Sequence, residues 1–136
     1  MAEEPGGNNS PESIEGKLEH LLSFLETLPE IHATAVVRRD GLMIASSLPK
    51  TVDSRTFAAM SAAIVGTAET SATELQLGRF LQVIVEAEKG KMIATGAGSV
   101  AILICLVTER ANLGLVLLEM GRVARQVADT LEGSAE

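Results

Sequence analysis

A chain of 136 residues, 46% apolar and 21% charged, suits a single domain that needs no metal or disulfide to hold its core. Its formal charge is −7 and its eleven basic residues are scattered, which argues against nucleic acid and anionic membrane surfaces as partners. Three Phe and no Trp or Tyr imply an aliphatic core with almost no platform for stacking bases or sugars.

Residues 1–12 (MAEEPGGNNSPE) read as a disordered acidic tail. Their polarity argues against a secretory leader, no apolar run approaches the roughly 20 residues of a membrane helix, and a cytoplasmic location is the default. Ser13 is placed to cap a helix. Ile14, Leu18, Leu21, Leu22, Leu25 and Leu28 recur at helical spacing, and Pro29 ends the run. A strand over 31–38 follows by its β-branched content, with an Asp40-Gly41 hairpin turn and a returning strand over 42–46. Residues 48–53 form a loop, and Asp53 or Ser54 caps a helix from Arg55 to Leu75. Three strands are expected next, over 79–88, 91–97 and 100–107, joined at Lys89-Gly90 and Gly98-Ser99. A last helix runs from Leu113 to Leu131, and 133–136 is a flexible end.

The order is helix, two strands, helix, three strands, helix. Hairpins make the sheet mainly antiparallel, so the fold class is α+β with one five-stranded sheet between helices. The last strand is apolar at every position and should lie centrally, covered on both faces.

The middle helix carries the most information. Counting from Phe57, the residues Met60, Ile64, Ala68, Ser71, Ala72 and Leu75 fall on one side and are expected to meet the sheet. Its back should carry Lys and Glu if it faced water. It carries Ala59, Ala62, Ala63, Gly66, Thr70 and Thr73, and no charge occurs from Ala58 to Ala68. Gly and Thr cost helix propensity, so their presence points to a helix–helix contact, met in a two-fold dimer by the same helix of a second copy. The third strand adds a route. Phe80, Leu81, Gln82, Val83, Ile84 and Val85 would form an apolar sheet edge that a symmetry mate could pair.

No catalytic or ligand constellation assembles. Cys105 sits in an apolar run and reads as a small buried hydrophobe. His20 and His32 lack ligand spacing. Gly96-Ala97-Gly98-Ser99 joins two strands and lacks the Gly-Lys-Ser/Thr of a phosphate loop. Arg38, Arg39, Arg55 and Arg79 raise the idea of an arginine finger, and nothing singles one out. A metal, a cofactor and a deep polar pocket are therefore not expected.

Three segments together resemble one family. They are Arg39-Asp40-Gly41-Leu42-Met43-Ile44-Ala45-Ser46-Ser47, Ala58-Ala59-Met60-Ser61-Ala62-Ala63-Ile64 with Ala68-Glu69, and Ala111-Asn112-Leu113-Gly114-Leu115-Val116. In order and spacing, over about 13–132, the chain resembles the Roadblock/LC7 domains, closest to their bacterial and archaeal single-domain members. The fourth strand departs from the family pattern by being smaller and richer in Gly. The resemblance implies a profilin-like three-layer fold and a homodimer built on middle helices and third strands. It also implies a non-catalytic regulator or scaffold for a Ras-like small GTPase, whose partner surface would include Arg55, Ala58 and Glu69. A motor light-chain-like adaptor and a small-ligand-binding domain are the alternatives.

Overall fold

The computed structural model describes residues 13–133. The eight elements follow in the expected order: α1 (Ile14–Leu25), β1 (Ile31–Arg38), β2 (Met43–Ser47), α2 (Ser54–Glu74), β3 (Gln82–Ala87), β4 (Gly90–Ala97), β5 (Ala101–Val107) and α3 (Leu113–Leu131). The expected acidic tail and residues 134–136 lie outside the described residues.

Each helix starts at a polar side chain that takes up free backbone N–H groups. Ser13 Oγ accepts from Gly16 N at 2.9 Å. The Asp53 carboxylate accepts from Arg55 N and Thr56 N, and Asn112 Oδ1 from Leu115 N at 3.2 Å. α1 stops at Leu25 rather than at Leu28. Thr27 N and Leu28 N close tight turns on the carbonyls of Phe24 and Leu25, because a residue before proline is disfavoured in the helical region. The β3–β4 turn is Glu88-Lys89, one residue earlier than expected, and Gly90 already pairs with Ala87 in the ladder. A Cβ at Gly90 would lie 2.8 Å from the Val107 carbonyl oxygen, so this glycine serves close packing, not turning.

The sheet is antiparallel throughout, in the order β2-β1-β5-β4-β3. β5 is central, as its composition requires. On one face Leu103, Cys105 and Val107 join Leu18, Leu22 and Leu25 of α1 and Val123 and Val127 of α3. On the other, Ile102 and Ile104 join Phe57, Ala58 and Val65 of α2. β2 and β3 are opposite edges, and α2 is their connection. It must therefore cross the sheet, and it touches all five strands.

α2 is rotated relative to the expected wheel. Phe57, Ala58, Ser61 and Val65 are its buried residues, while Met60 is 53% and Leu75 66% exposed. The shift is roughly 60° at about 100° per residue. Small residues explain it: Ala58 belongs to the same buried cluster as Ala35 and Ala94 of the sheet, so the backbones approach where Met60 would hold them apart.

One side chain ties three parts of the molecule together. From the β1–β2 turn, Arg39 donates to the Glu69 carboxylate on α2 and, at 2.9 Å, to the Gly98 carbonyl in the β4–β5 turn. Its guanidinium lies against β4, where a Cβ at Gly96 would come within 2.8 Å of it. Gly96 thus leaves the space that Arg39 occupies, as Gly90 leaves room for the Val107 carbonyl.

Gly96→Ala should therefore displace the Arg39 guanidinium and cost about 1 kcal/mol for the lost partly exposed bridge. In an Arg39→Ala background the same change should be neutral or stabilising, which urea unfolding of the two singles and the double reads as a coupling energy. Additive singles would contradict the packing. Burial, with the Glu26 carboxylate nearby, pushes the Cys105 thiol up to about 12. Above pH about 9 the unfolded chain therefore loses this proton while the folded chain keeps it, and stability falls by up to about 1.4 kcal/mol per pH unit until about pH 12. Cys105→Ala should flatten that alkaline slope in urea midpoints measured from pH 8 to pH 10.5.

Candidate functional site: the outward face of the middle helix and the β3 edge

The outward side of α2 presents Ala59, Met60, Ala63, Gly66, Thr67, Thr70 and Thr73, all exposed. The residues Ala63, Gly66, Thr67, Thr70 and Ser71 line a shallow hollow of about 500 Å³. At Gly66, one of its lining residues, a built Cβ meets nothing within 4 Å. The Gly is thus not needed by the fold of one chain. Ala62 is half-buried towards the β1–β2 turn, where Gly41 at φ 97° passes close to α2.

The three residues expected at a partner surface separate. Arg55 is exposed in the first turn of α2. Ala58 is fully buried against the sheet, so its place in that surface is corrected to the core. The helix rotation put it there. Glu69 is half-buried and held by Arg39, so it is an internal tether with one flank open.

Among the described residues β3 pairs with β4 alone and leaves its other edge open. It is shorter than expected. Phe80 and Leu81 precede it: Phe80 packs into the α2-side core, and the Leu81 carbonyl accepts from Thr95 Oγ1 at 2.9 Å. Gln82 and Val85 are exposed, and Val83 and Ile84 half-buried.

The sequence pattern did not flag a further apolar row. Val85, Met92 and Leu106 sit in register across β3, β4 and β5 on the α2 face. Met92 and Leu106 are only half-buried, and Val85 is 42% exposed. The row, running from the β3 edge inwards to β5, stays open because α2 crosses elsewhere. The sheet register would have been needed to see it.

The remaining candidates are dispersed. Cys105 is buried, and His20 and His32 are exposed on separate elements. No three His, Cys, Asp or Glu side chains among the described residues are grouped to hold a metal ion. No helix among them is long and apolar enough to cross a membrane.

Known proteins are similar to this chain in sequence or in fold. The uncharacterized protein MJ1340 of Methanocaldococcus jannaschii is 37% identical over 110 residues, spanning 81% of this chain and 96% of its own length. The gliding protein MglB from Thermus thermophilus superposes with a TM-score of 0.77 at 25% identity, over 88% of this chain and 92% of that one. Profilin II of Acanthamoeba castellanii shares the fold at a TM-score of 0.54 and 19% identity, over 91% of this chain and 100% of its own. The family described as the Roadblock/LC7 domain matches residues 17–108. With helices, sheet order and the uncharged α2 surface all in place, the chain belongs to the Roadblock/LC7 family.

Proposed function

We propose that the chain is a non-catalytic homodimeric scaffold that binds a Ras-like small GTPase and modulates its nucleotide cycle, in the cytoplasm. The carrying observation is the α2 surface: a long helix that presents Ala59, Ala63, Gly66 and Thr70 outward, beside an unpaired sheet edge. Membership of the Roadblock/LC7 family supports the partner class.

The physics favours a second copy on this face. Two α2 helices can approach closely only where side chains are small, and Gly66 provides the closest point. Pairing of β3 with its symmetry mate would continue the sheet through Gln82, Val83, Ile84 and Val85 and would remove an exposed edge. In such an arrangement the end of each α2 extends over the other subunit's Val85, Met92 and Leu106. The exposed Leu75 and Leu77 would supply apolar cover for that row. The paired helices, with Arg55 at each outer end, form the platform for the GTPase. Nucleotide and chemistry belong to the partner, whose switch segments the platform would position.

Gly66→Arg tests the dimer cleanly, because the monomer has room for the side chain and Arg is a better helix former than Gly by up to about 1 kcal/mol. The variant should run at the monomer mass in size-exclusion with light scattering while keeping its helical circular dichroism. A folded Gly66→Arg dimer with wild-type affinity would refute the assignment. For the partner, mixing with the small GTPases of the same source should give a co-eluting complex and a changed GTP hydrolysis rate. Absence of both with every GTPase of that source would leave an adaptor role instead.

A further inference from the structure

α2 and α3 lie on opposite faces of the sheet and do not touch among the described residues. At one end of the sheet the two are nevertheless joined, through the peptide group between Gly98 and Ser99 in the β4–β5 turn. Its carbonyl, on Gly98, accepts from the Arg39 guanidinium at 2.9 Å. Its N–H, on Ser99, donates to the Glu132 carboxylate at 2.9 Å. Arg39 also donates to Glu69 on α2, and Glu132 is the C-cap residue of α3.

The two contacts on this peptide are not independent. A peptide group is planar and rigid, with C=O and N–H pointing in opposite directions, so a rotation that breaks one bond breaks the other. The partners carry opposite charge. A guanidinium on the carbonyl and a carboxylate on the N–H polarise one dipole in the same sense, and each strengthens the other's bond. The flanks of the turn are fixed: Ala97 pairs with Ala101, and Arg39 N donates to the Val100 carbonyl at 2.9 Å. Between them Gly98 stands at φ 77°, where a side chain is strained, and a Cβ there would lie 2.9 Å from the Ala128 methyl and overlap the Glu132 carboxylate. Tight turns differ chiefly in which way such a peptide faces, so this plane turns over most easily once a partner lets go.

Glu132 gains nothing from its own helix, since a carboxylate at a helix C-terminus is opposed by the helix dipole. Its bonds go to the turn instead, a second one from Ser99 Oγ at 3.3 Å. The residue is exposed, so a cationic group from outside has access to it. We propose that the Gly98–Ser99 peptide couples the end of α3 to α2, with Glu132 as a positioning residue for the α2 surface. With Glu132 in place the carbonyl faces Arg39, Arg39 holds Glu69, and α2 keeps its rotation. With Glu132 drawn away the peptide turns over, Arg39 loses one acceptor, and α2 loosens around Glu69, one turn from Gly66. The effect on assembly rests on the α2 contact proposed above, whereas the effect on α2 itself does not.

Amide chemical shifts of the full chain, read with the dissociation constant of the dimer, test it. Glu132→Ala should move the amides of Gly98 and Ser99 and, across the sheet, those of α2 from Gly66 to Thr73. It should also weaken the dimer about threefold or more, the size of one lost hydrogen bond. Glu132→Gln should restore both, because its carboxamide oxygen still accepts from Ser99 N. Ser99→Ala should leave α2 as it is, since the peptide and not the hydroxyl carries the link. In an Arg39→Ala background, Glu132→Ala should no longer move α2. The proposal is overturned if Glu132→Ala changes only the turn and the urea midpoint, as a plain structural contact would, or if its effect on α2 persists without Arg39. It is equally overturned if Gly66→Arg abolishes the dimer while Glu132→Ala leaves the dissociation constant unchanged. If α2 responds through Arg39 but Gly66→Arg does not lower the mass, the α2 dimer fails and the coupling stands.

Discussion

A five-stranded sheet with an apolar centre must be covered on both faces, and the described residues supply three helices with which to do it. Five strands at about 4.8 Å spacing are about 19 Å wide, whereas a helix with its side chains spans about 10–12 Å. Two helices, α1 and α3, lie side by side and close one face. α2 has the other face alone, and it is also the link from the β2 edge to the β3 edge. It crosses all the strands as a diagonal bar and seals one band of the sheet. Val85, Met92 and Leu106 lie beyond that band. The incomplete layer, the bare helix back and the open strand edge are three consequences of one shortage of helix.

The position of that bar is set by small residues and by one charged one. Ala58 and Ser61 let α2 settle close to Ala35 and Ala94. Arg39 reaches from the β1–β2 turn to Glu69 on α2 and to the β4–β5 turn, and Gly96 yields the space for it. An ion pair of this exposure contributes little to stability. Its geometric effect is larger: it fixes how α2 is turned about its axis, and hence which residues the helix shows to the outside.

Element order, central β5, the edge position of β3 and the caps at Ser13 and Asp53 were legible because each rests on local pattern; the cap at Asn112 was not read from the sequence. The outward set Ala59, Ala63, Gly66 and Thr70 was legible as well, since absence of charge needs no three-dimensional knowledge. The turning of α2 was not. A wheel weighted by bulk puts Met60 and Leu75 inside, whereas the sheet selects Ala58 and Ser61 for closeness, and that depends on Ala35 and Ala94 far away in sequence. The same ignorance of register hid the Val85–Met92–Leu106 row and made the glycines of β4 look like a weakness. Gly90 accommodates the Val107 carbonyl and Gly96 accommodates Arg39. Both are long-range requirements that a hairpin pattern cannot express.

In the proposed dimer, two-fold symmetry would give Gly66 a weight out of proportion to its size. Within one chain the residue is a cost, since a glycine inside a helix sacrifices up to about 1 kcal/mol relative to alanine and here relieves no clash. In an antiparallel pair of helices each outward residue acts from both sides, so the approach gained at one position is gained twice, and a bulky side chain would obstruct twice. A sequence that kept α2 for its own fold alone would do better with Ala or Lys at 66 and at the neighbouring Thr positions. That α2 instead combines poor helix formers with an uncharged surface is a local rule broken without benefit to the single chain, and it is on this departure that the proposed dimer contact rests, since such departures concentrate at functional surfaces.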